Sequence, residues 1–137
     1  MAKSEIIQNA LKTPDGTIIM SRTIHDYVEH EGYFVDGGGD YLRYGCPSGC
    51  ENKFEPLFLD ESDNFENVKS KLLWGTYGKS GKAKLKWVKF IDCKDDHLIN
   101  ILKIKLSPLY IKVINTILEE RLLLYRKETI KKILKNV

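Results

Sequence analysis

The run Ser107-Pro108-Leu109-Tyr110-Ile111-Lys112-Val113-Ile114-Asn115-Thr116-Ile117-Leu118-Glu119-Glu120-Arg121-Leu122-Leu123-Leu124-Tyr125 decides the fold. Serine accepts from the orphan N–H groups of a starting helix, and proline at the first helical position lacks the N–H that would go unpaired. The helix opened here is expected to pass Arg121 and continue to Lys135, with a break near Lys127. Immediately upstream, Asp95 is expected to cap a helix running to about Ile104. Everything before that is turn-rich. Strands first and helices afterwards predict an α+β fold. The expected architecture is an N-terminal antiparallel β-sheet with a short helix, followed by C-terminal helices that mediate oligomerisation. Residues 1–137 are read as a single domain, mainly β over 1–94 and helical over 95–137.

Working back toward the N-terminus, Thr13-Pro14-Asp15-Gly16 separates two apolar stretches between Ile6 and Met20, which is hairpin chemistry. Tyr27-Val28-Glu29-His30 and Tyr33-Phe34-Val35 form a second pair around Glu31-Gly32. Leu57-Phe58-Leu59 reads as a further strand. Asp63, with Glu66 three residues on, has capping-box spacing. The helical recurrence of Phe65, Val68, Leu72 and Leu73 predicts a short helix reaching Trp74. Gly75 to Gly81 reads as a loop, and Leu85 to Ile91 as a strand.

Hydrophobic content of 42% and charged content of 30% are ordinary for a globular chain of 137 residues. Met1-Ala2-Lys3-Ser4-Glu5 lacks the apolar core of a signal peptide, and no apolar run approaches the roughly 20 residues of a membrane span. A soluble protein of the cytoplasm is the expectation. The net charge of +3 is unevenly placed: nine Lys or Arg against three Glu after residue 99 give +6 there. That asymmetry suits an anionic ligand or a nucleic acid, or simply a solvated helix face. Three cysteines cannot all pair with one another, and the cytoplasmic expectation disfavours disulfides. Cys46-Pro47-Ser48-Gly49-Cys50 reads as a turn flanked by free thiols rather than a zinc site, because the second close cysteine pair is missing. Cys93 reads as a small buried residue.

On the terminal helix, Ile117-Leu118 is followed by four consecutive apolar residues, Leu122 to Tyr125. At about 100° per residue these wrap most of the circumference, and a helix apolar all round requires burial on several faces. Self-association, most simply as a two-fold dimer, satisfies that requirement.

The chemistry clusters at Val35-Asp36-Gly37-Gly38-Gly39-Asp40-Tyr41-Leu42-Arg43-Tyr44 and at Arg22-Thr23-Ile24-His25-Asp26-Tyr27. Consecutive glycines permit positive φ or close backbone approach. The glycine spacings of dinucleotide and phosphate loops are absent, and Gly78-Lys79-Ser80 is only a fragment of the latter, since Leu73 stands at the upstream glycine position. No nucleophile–base pattern accompanies His25, His30 or His97. A binding site for a planar, phosphate-bearing ligand is the better expectation. Aromatic rings such as Trp74, Tyr77, Trp87 and Phe90 can stack on bases, although Trp87 and Phe90 also suit a core. Arginine grips phosphate bidentately, and Arg22, Arg43, Arg121 and Arg126 stand among eighteen lysines. Asp36 and Asp40 can accept from ribose hydroxyls.

Ser21-Arg22, His25-Asp26-Tyr27, the glycine turn through Arg43, and Trp74-Gly75-Thr76-Tyr77-Gly78-Lys79 together resemble the Thoeris anti-defence sponge proteins, a family of small bacteriophage proteins. Leu85-Lys86-Trp87-Val88-Lys89, Asp96-His97-Leu98 and Ile117-Leu118-Glu119-Glu120-Arg121 extend the likeness, which covers about Asn9 to Arg126. Members often carry a second arginine after the position of Arg43. Tyr44 stands there in this chain, so no phosphate contact is carried over to it. The resemblance implies a protein of the host cytoplasm that sequesters a cyclic ADP-ribose isomer made by a TIR-domain enzyme, without catalysis, metal or cofactor. It also implies a homodimer or higher homo-oligomer, and possibly cyclic oligonucleotides as further ligands. On this reading Arg22, His25, Asp36, Asp40, Arg43, Trp74, Tyr77, Phe90, Arg121 and Arg126 are the ligand-binding residues. Trp74 or Phe90 would stack the adenine, and Arg121 and Arg126 would meet pyrophosphate. Alanine at Arg121 is then expected to remove ligand-induced stabilisation while leaving the apo protein unchanged. The competing readings are a nucleic-acid-binding protein using the basic helices, an inhibitor of a host protein using Leu122 to Tyr125, and an enzyme degrading the nucleotide.

Overall fold

The computed structural model describes residues 5–49, 53–78 and 82–136. The chain falls into two compact units, Met1–Lys89 and Phe90–Val137.

The first unit is built from short antiparallel strands. β1 (Ile6–Lys12) and β2 (Ile18–Ser21) form the hairpin that Thr13-Pro14-Asp15-Gly16 encodes, with Ala10 opposite Met20. Gly16 supplies the positive φ that its turn requires, at 93°. β3 (Val28–His30) and β4 (Tyr33–Asp36) are joined by Glu31 and Gly32, at φ 54° and 85°. Two successive positive φ values match the twist of the flanking strands, which is why a two-residue connection suffices. β5 (Arg43–Gly45) completes that sheet along β4. β6 (Glu55–Pro56) and β7 (Leu59–Asp60) both pair with β1. The expected strand at Leu57 to Leu59 is therefore divided. Leu57 is fully buried and donates its N–H to the Ala10 carbonyl between the two pieces.

α1 (Phe65–Lys71) is shorter than its apolar recurrence predicts. Asn64, not Asp63, caps it, accepting from the Asn67 N–H. Asp63 instead accepts from the Asp60 N–H. The helix ends because Leu72 turns extended, and Leu73–Thr76 becomes β8, paired with β9 (Lys86–Lys89). Leu72 and Leu73 recur at helical spacing but are buried as extended residues, at 0% and 1% exposure. Gly75 and Thr76 belong to that strand rather than to the loop expected there, and 79–81 lie outside the described residues. Two apolar clusters stand out among the described residues of the unit. One joins Leu11, Ile19, Tyr33 and Val35, and the other Ala10, Leu57 and Leu73.

In the second unit a 3₁₀ turn over Phe90–Asp92 leads into α2 (Asp95–Ile101) and α3 (Pro108–Lys135). Lys94, not Asp95, occupies the N-cap of α2, and the helix stops three residues before Ile104. α3 begins at Pro108 as its sequence requires and runs unbroken for 28 residues. Nothing interrupts it at Lys127, because no proline or glycine is present to compete with the helical bonds. Its buried residues are Val113, Ile114 and Ile117. Cys93 is buried as expected, and that burial pushes its thiol up in pKa. No helix among the described residues is long and apolar enough to cross a membrane.

Candidate functional site

The glycine turn after β4 is a packing device. Gly37 and Gly38 take φ 93° and 53°. A Cβ on Gly38 would lie 2.5 Å from the backbone N, Cα and C of Thr23, so only glycine lets these segments meet. The contact is fastened by hydrogen bonds. Gly38 N–H donates to Ser21 Oγ at 2.9 Å, and the Ser21 hydroxyl donates to the Asp26 carbonyl at 2.6 Å. Asn9 Nδ2 donates to the Asp36 carbonyl at 2.7 Å. The turn thus anchors the 21–26 loop, from which Arg22 and Asp26 extend.

Arg22 is oriented by two neighbours. Its backbone N–H donates to Asp26 Oδ2 at 2.8 Å, and its Nε lies 3.9 Å from the same oxygen. Its guanidinium carbon sits 5.7 Å from the centre of the Trp87 ring, within cation–π range. The two residues line a cavity of about 340 Å³ with Met20, Asp26, Glu29 and His30. That volume lies at the lower end of small-ligand sites, about 300–1,000 Å³. Apolar walls, one guanidinium and two carboxylates are the ingredients of a site for a ligand with a ring, an anionic group and hydroxyls.

His30 closes one side of this site. Its Nε2 meets Asp15 Oδ2 at 2.7 Å, tying the β1–β2 turn to β3. The Asp15 carboxylate also accepts from the Thr13 hydroxyl and the Thr17 N–H. These bonds, led by that of Thr13, hold the Asp15 carboxyl far below the ordinary range. The Asp15 bond raises the His30 imidazole.

A second cluster lies on the sheet of β3, β4 and β5. Asp36 and Arg43 are partners in register, with oxygen and nitrogen 3.8 Å apart. Arg43 reaches over the Phe34 ring at 5.8 Å, and Tyr27 stacks on Phe34 at 5.3 Å. The Tyr27 hydroxyl donates to Glu29, a cavity residue; desolvation and that carboxylate push the hydroxyl upward in pKa. Arg22, Asp36 and Arg43 of the expected set are therefore engaged around connected features of one unit. His25, Asp40 and Tyr77 are exposed, and Trp74 is half-buried on β8.

Three expectations require correction. Phe90 has no exposed surface and packs on Tyr110 at 5.6 Å, so its ring offers no face to a base. Arg121 is occupied within its own unit, donating to Asp95 Oδ1 at 2.7 Å and to the Ile91 carbonyl at 2.9 Å. It fastens α3 to the 3₁₀ turn, so its loss weakens the apo protein too. Arg126 is exposed. Cys46 is disulfide-bonded, against the free-thiol expectation, while Cys50, Lys79 and Ser80 lie outside the described residues. Among the described residues no cluster of His, Cys, Asp or Glu could hold a metal ion.

Asp26 and Glu29 were not among the expected site residues, and Trp87 was expected only as one of several rings able to stack or to fill a core. Trp87 carries the ambiguity of any aromatic residue in a strand, and only its non-local pairing with Arg22 marks it. Comparison of the chain with family models, curated proteins and solved structures finds no match.

Proposed function

We propose that the protein is a nucleotide sponge. It binds a cyclic ADP-ribose-type signal made by a TIR-domain enzyme and holds it without covalent chemistry, as a bacteriophage protein acting in the host cytoplasm to block Thoeris immunity. The observation that carries this reading is the Arg22–Trp87 pair on the wall of the cavity, with Asp26 and Glu29 beside it. Trp87 offers an aromatic face, Arg22 a guanidinium for phosphate, and the carboxylates acceptors for ribose hydroxyls. The resemblance at Arg22, the glycine turn and Trp74 to Tyr77 supports the same ligand class and assembly as a homodimer or higher homo-oligomer. Cyclic oligonucleotides are further ligands on this reading.

Tight capture requires preorganisation, since each tenfold in affinity takes about 1.4 kcal/mol. The bonds from Ser21, Asp26 and Asn9 provide it by fixing the loop that bears Arg22. The decisive experiment incubates purified protein with the TIR-derived product, denatures it and identifies the released molecule by mass spectrometry. Release of intact cyclic nucleotide is the expected result. A hydrolysed product would make the protein an enzyme, and no retained nucleotide would end the reading.

A second reading, inhibition of a host protein, draws on the exposed Leu122, Leu123, Leu124 and Tyr125. Heteromeric capture by a monomeric chain would favour it.

A further inference from the structure

The cavity beside Trp87 is poorly charged for a pyrophosphate. Among its described lining residues Arg22 is the one fixed cation, against the carboxylates of Asp26 and Glu29, which sums to −1. Arg22 is moreover shared with Asp26, whose Oδ2 lies 3.9 Å from its Nε. An anionic ligand gains from a second positive group on this wall. The one remaining lining side chain able to supply it is the imidazole of His30, by taking up a proton.

His30 is placed to do so. It ends β3 opposite Tyr33, and its Nε2 meets Asp15 Oδ2 on the β1–β2 turn at 2.7 Å. An ionised carboxylate only accepts, so Nε2 carries hydrogen whether the ring is neutral or charged. The neutral ring is thereby fixed with Nδ1 as a bare acceptor, and Nδ1 has no partner among the described residues. A bare acceptor and a phosphate oxygen repel each other. Protonation turns the same nitrogen into a charged donor, so a single proton reverses what the ring offers to an anion.

The surroundings favour that proton. Asp15 accepts from the Thr13 hydroxyl and the Thr17 N–H, which keep it ionised. The other titratable or charged groups around the ring are Glu29 and Glu31 along the chain, Tyr33 across on β4, and Arg22 and Asp26 on the cavity wall. The Asp15 bond is the largest influence and raises the imidazole; desolvation opposes it, and the charges of Asp15 and Glu31 add to it.

We propose that His30 is a second anion-binding residue of this cavity, engaging a phosphate through protonated Nδ1 while Asp15 holds the ring by Nε2, so that the ligand is gripped as a proton is taken up. This rests on the nucleotide reading above and names the group that completes its phosphate contacts.

The test is titration calorimetry of the full chain with the purified TIR-derived cyclic nucleotide, whose pyrophosphate keeps its charge across the neutral range, from about pH 6 to about pH 9. Affinity is full below the pKa of the imidazole in the free protein and falls as pH rises through it, by about tenfold, the equivalent of one pKa unit. His30→Gln keeps a neutral donor toward Asp15 but nothing that can gain charge. This variant melts and binds like the wild type at about pH 9 and lacks the tenfold gain at about pH 6. Asp15→Asn, which removes the carboxylate, moves the fall to lower pH. A wild-type affinity that stays level with pH overturns the role of His30 and leaves nucleotide capture standing. So does a His30→Gln variant that keeps the wild-type slope. A variant weakened equally at both ends of the range makes His30 a clasp alone and overturns the proposal as well. A fall that Asp15→Asn leaves in place overturns the part given to Asp15. Absence of binding at every pH overturns the nucleotide reading and this proposal with it.

Discussion

Among the described residues between Ile6 and Lys89 there are nine short strands, and buried polar side chains bond backbone groups around them. Gln8 Nε2 donates to the carbonyls of Leu57 and Lys71, and its Oε1 accepts from the Leu73 N–H. Asn9 and Ser21 serve the glycine turn in the same way. Between Phe90 and Asn136 the backbone is mostly helical and bonds to itself. Its difficulty is the opposite one, apolar surface left in water. Interior polar residues in the first unit are thus structural, whereas the second leaves side chains such as Leu123 and Leu134 exposed along its long helix.

The sharpest way to break this contrast is Gln8→Leu, which strands two carbonyls and an N–H at once. A loss of about 3–5 kcal/mol is expected, read from the urea midpoint, because each unsatisfied buried group costs about 1–3 kcal/mol. A change below 1 kcal/mol would show that water replaces the side chain and that the polar construction is dispensable. Gly38→Ala comes next. It drives a methyl into the Thr23 backbone at a positive φ. The expected cost is about 2–3 kcal/mol, with loss of ligand affinity through displacement of Arg22. Unchanged stability would mean the loop at 21–26 can retreat.

Arg121→Ala tests the second unit from inside. Losing the bonds to Asp95 and the Ile91 carbonyl should lower apo stability by about 1 kcal/mol, measured by thermal melting without ligand. No loss in the apo form would return Arg121 to a ligand role.

The smallest effect is the pH dependence of the Asp15–His30 clasp. His30 is raised above its ordinary 6.5, so its contribution is full below that value and fades as pH rises through the raised pKa. Asp15 is depressed, so its contribution is present above the ordinary 3.8 and fades only as pH falls far below it. Stability of the first unit should therefore be greatest between about pH 4 and 6.5 and decline toward pH 8. His30→Gln should flatten the decline. A profile unaltered by His30→Gln would remove the clasp from the account.

The fold was legible where local chemistry dictated it. Pro14-Asp15-Gly16 and Glu31-Gly32 require turns, and Ser107-Pro108 requires a helix start. The strand at Leu73–Thr76 was hidden because Leu72 and Leu73 continue a helical apolar recurrence that tertiary pairing with β9 overrides. A glycine at position 75 also reads as loop until its partner Trp87 is seen. The site was half legible. Arg22, Asp36 and Arg43 stood out by residue type, but the pairing of Arg22 with Trp87 spans 65 positions and follows from strand placement alone. Phe90 shows the converse, since an aromatic residue beside a loop and one in a core look alike in a string of letters.

Trp74 and Trp87, the two indoles of the chain, both lie on the β8–β9 ribbon of the first unit, whereas 35 of its α-helical residues lie in α2 and α3 of the second. Intrinsic fluorescence therefore watches the strand-built half, while far-ultraviolet circular dichroism watches mainly the helical half. One heating run recorded in both channels reads the two melts separately from a single unlabelled sample. Ligand entering beside Trp87 would change the emission and leave the dichroism still.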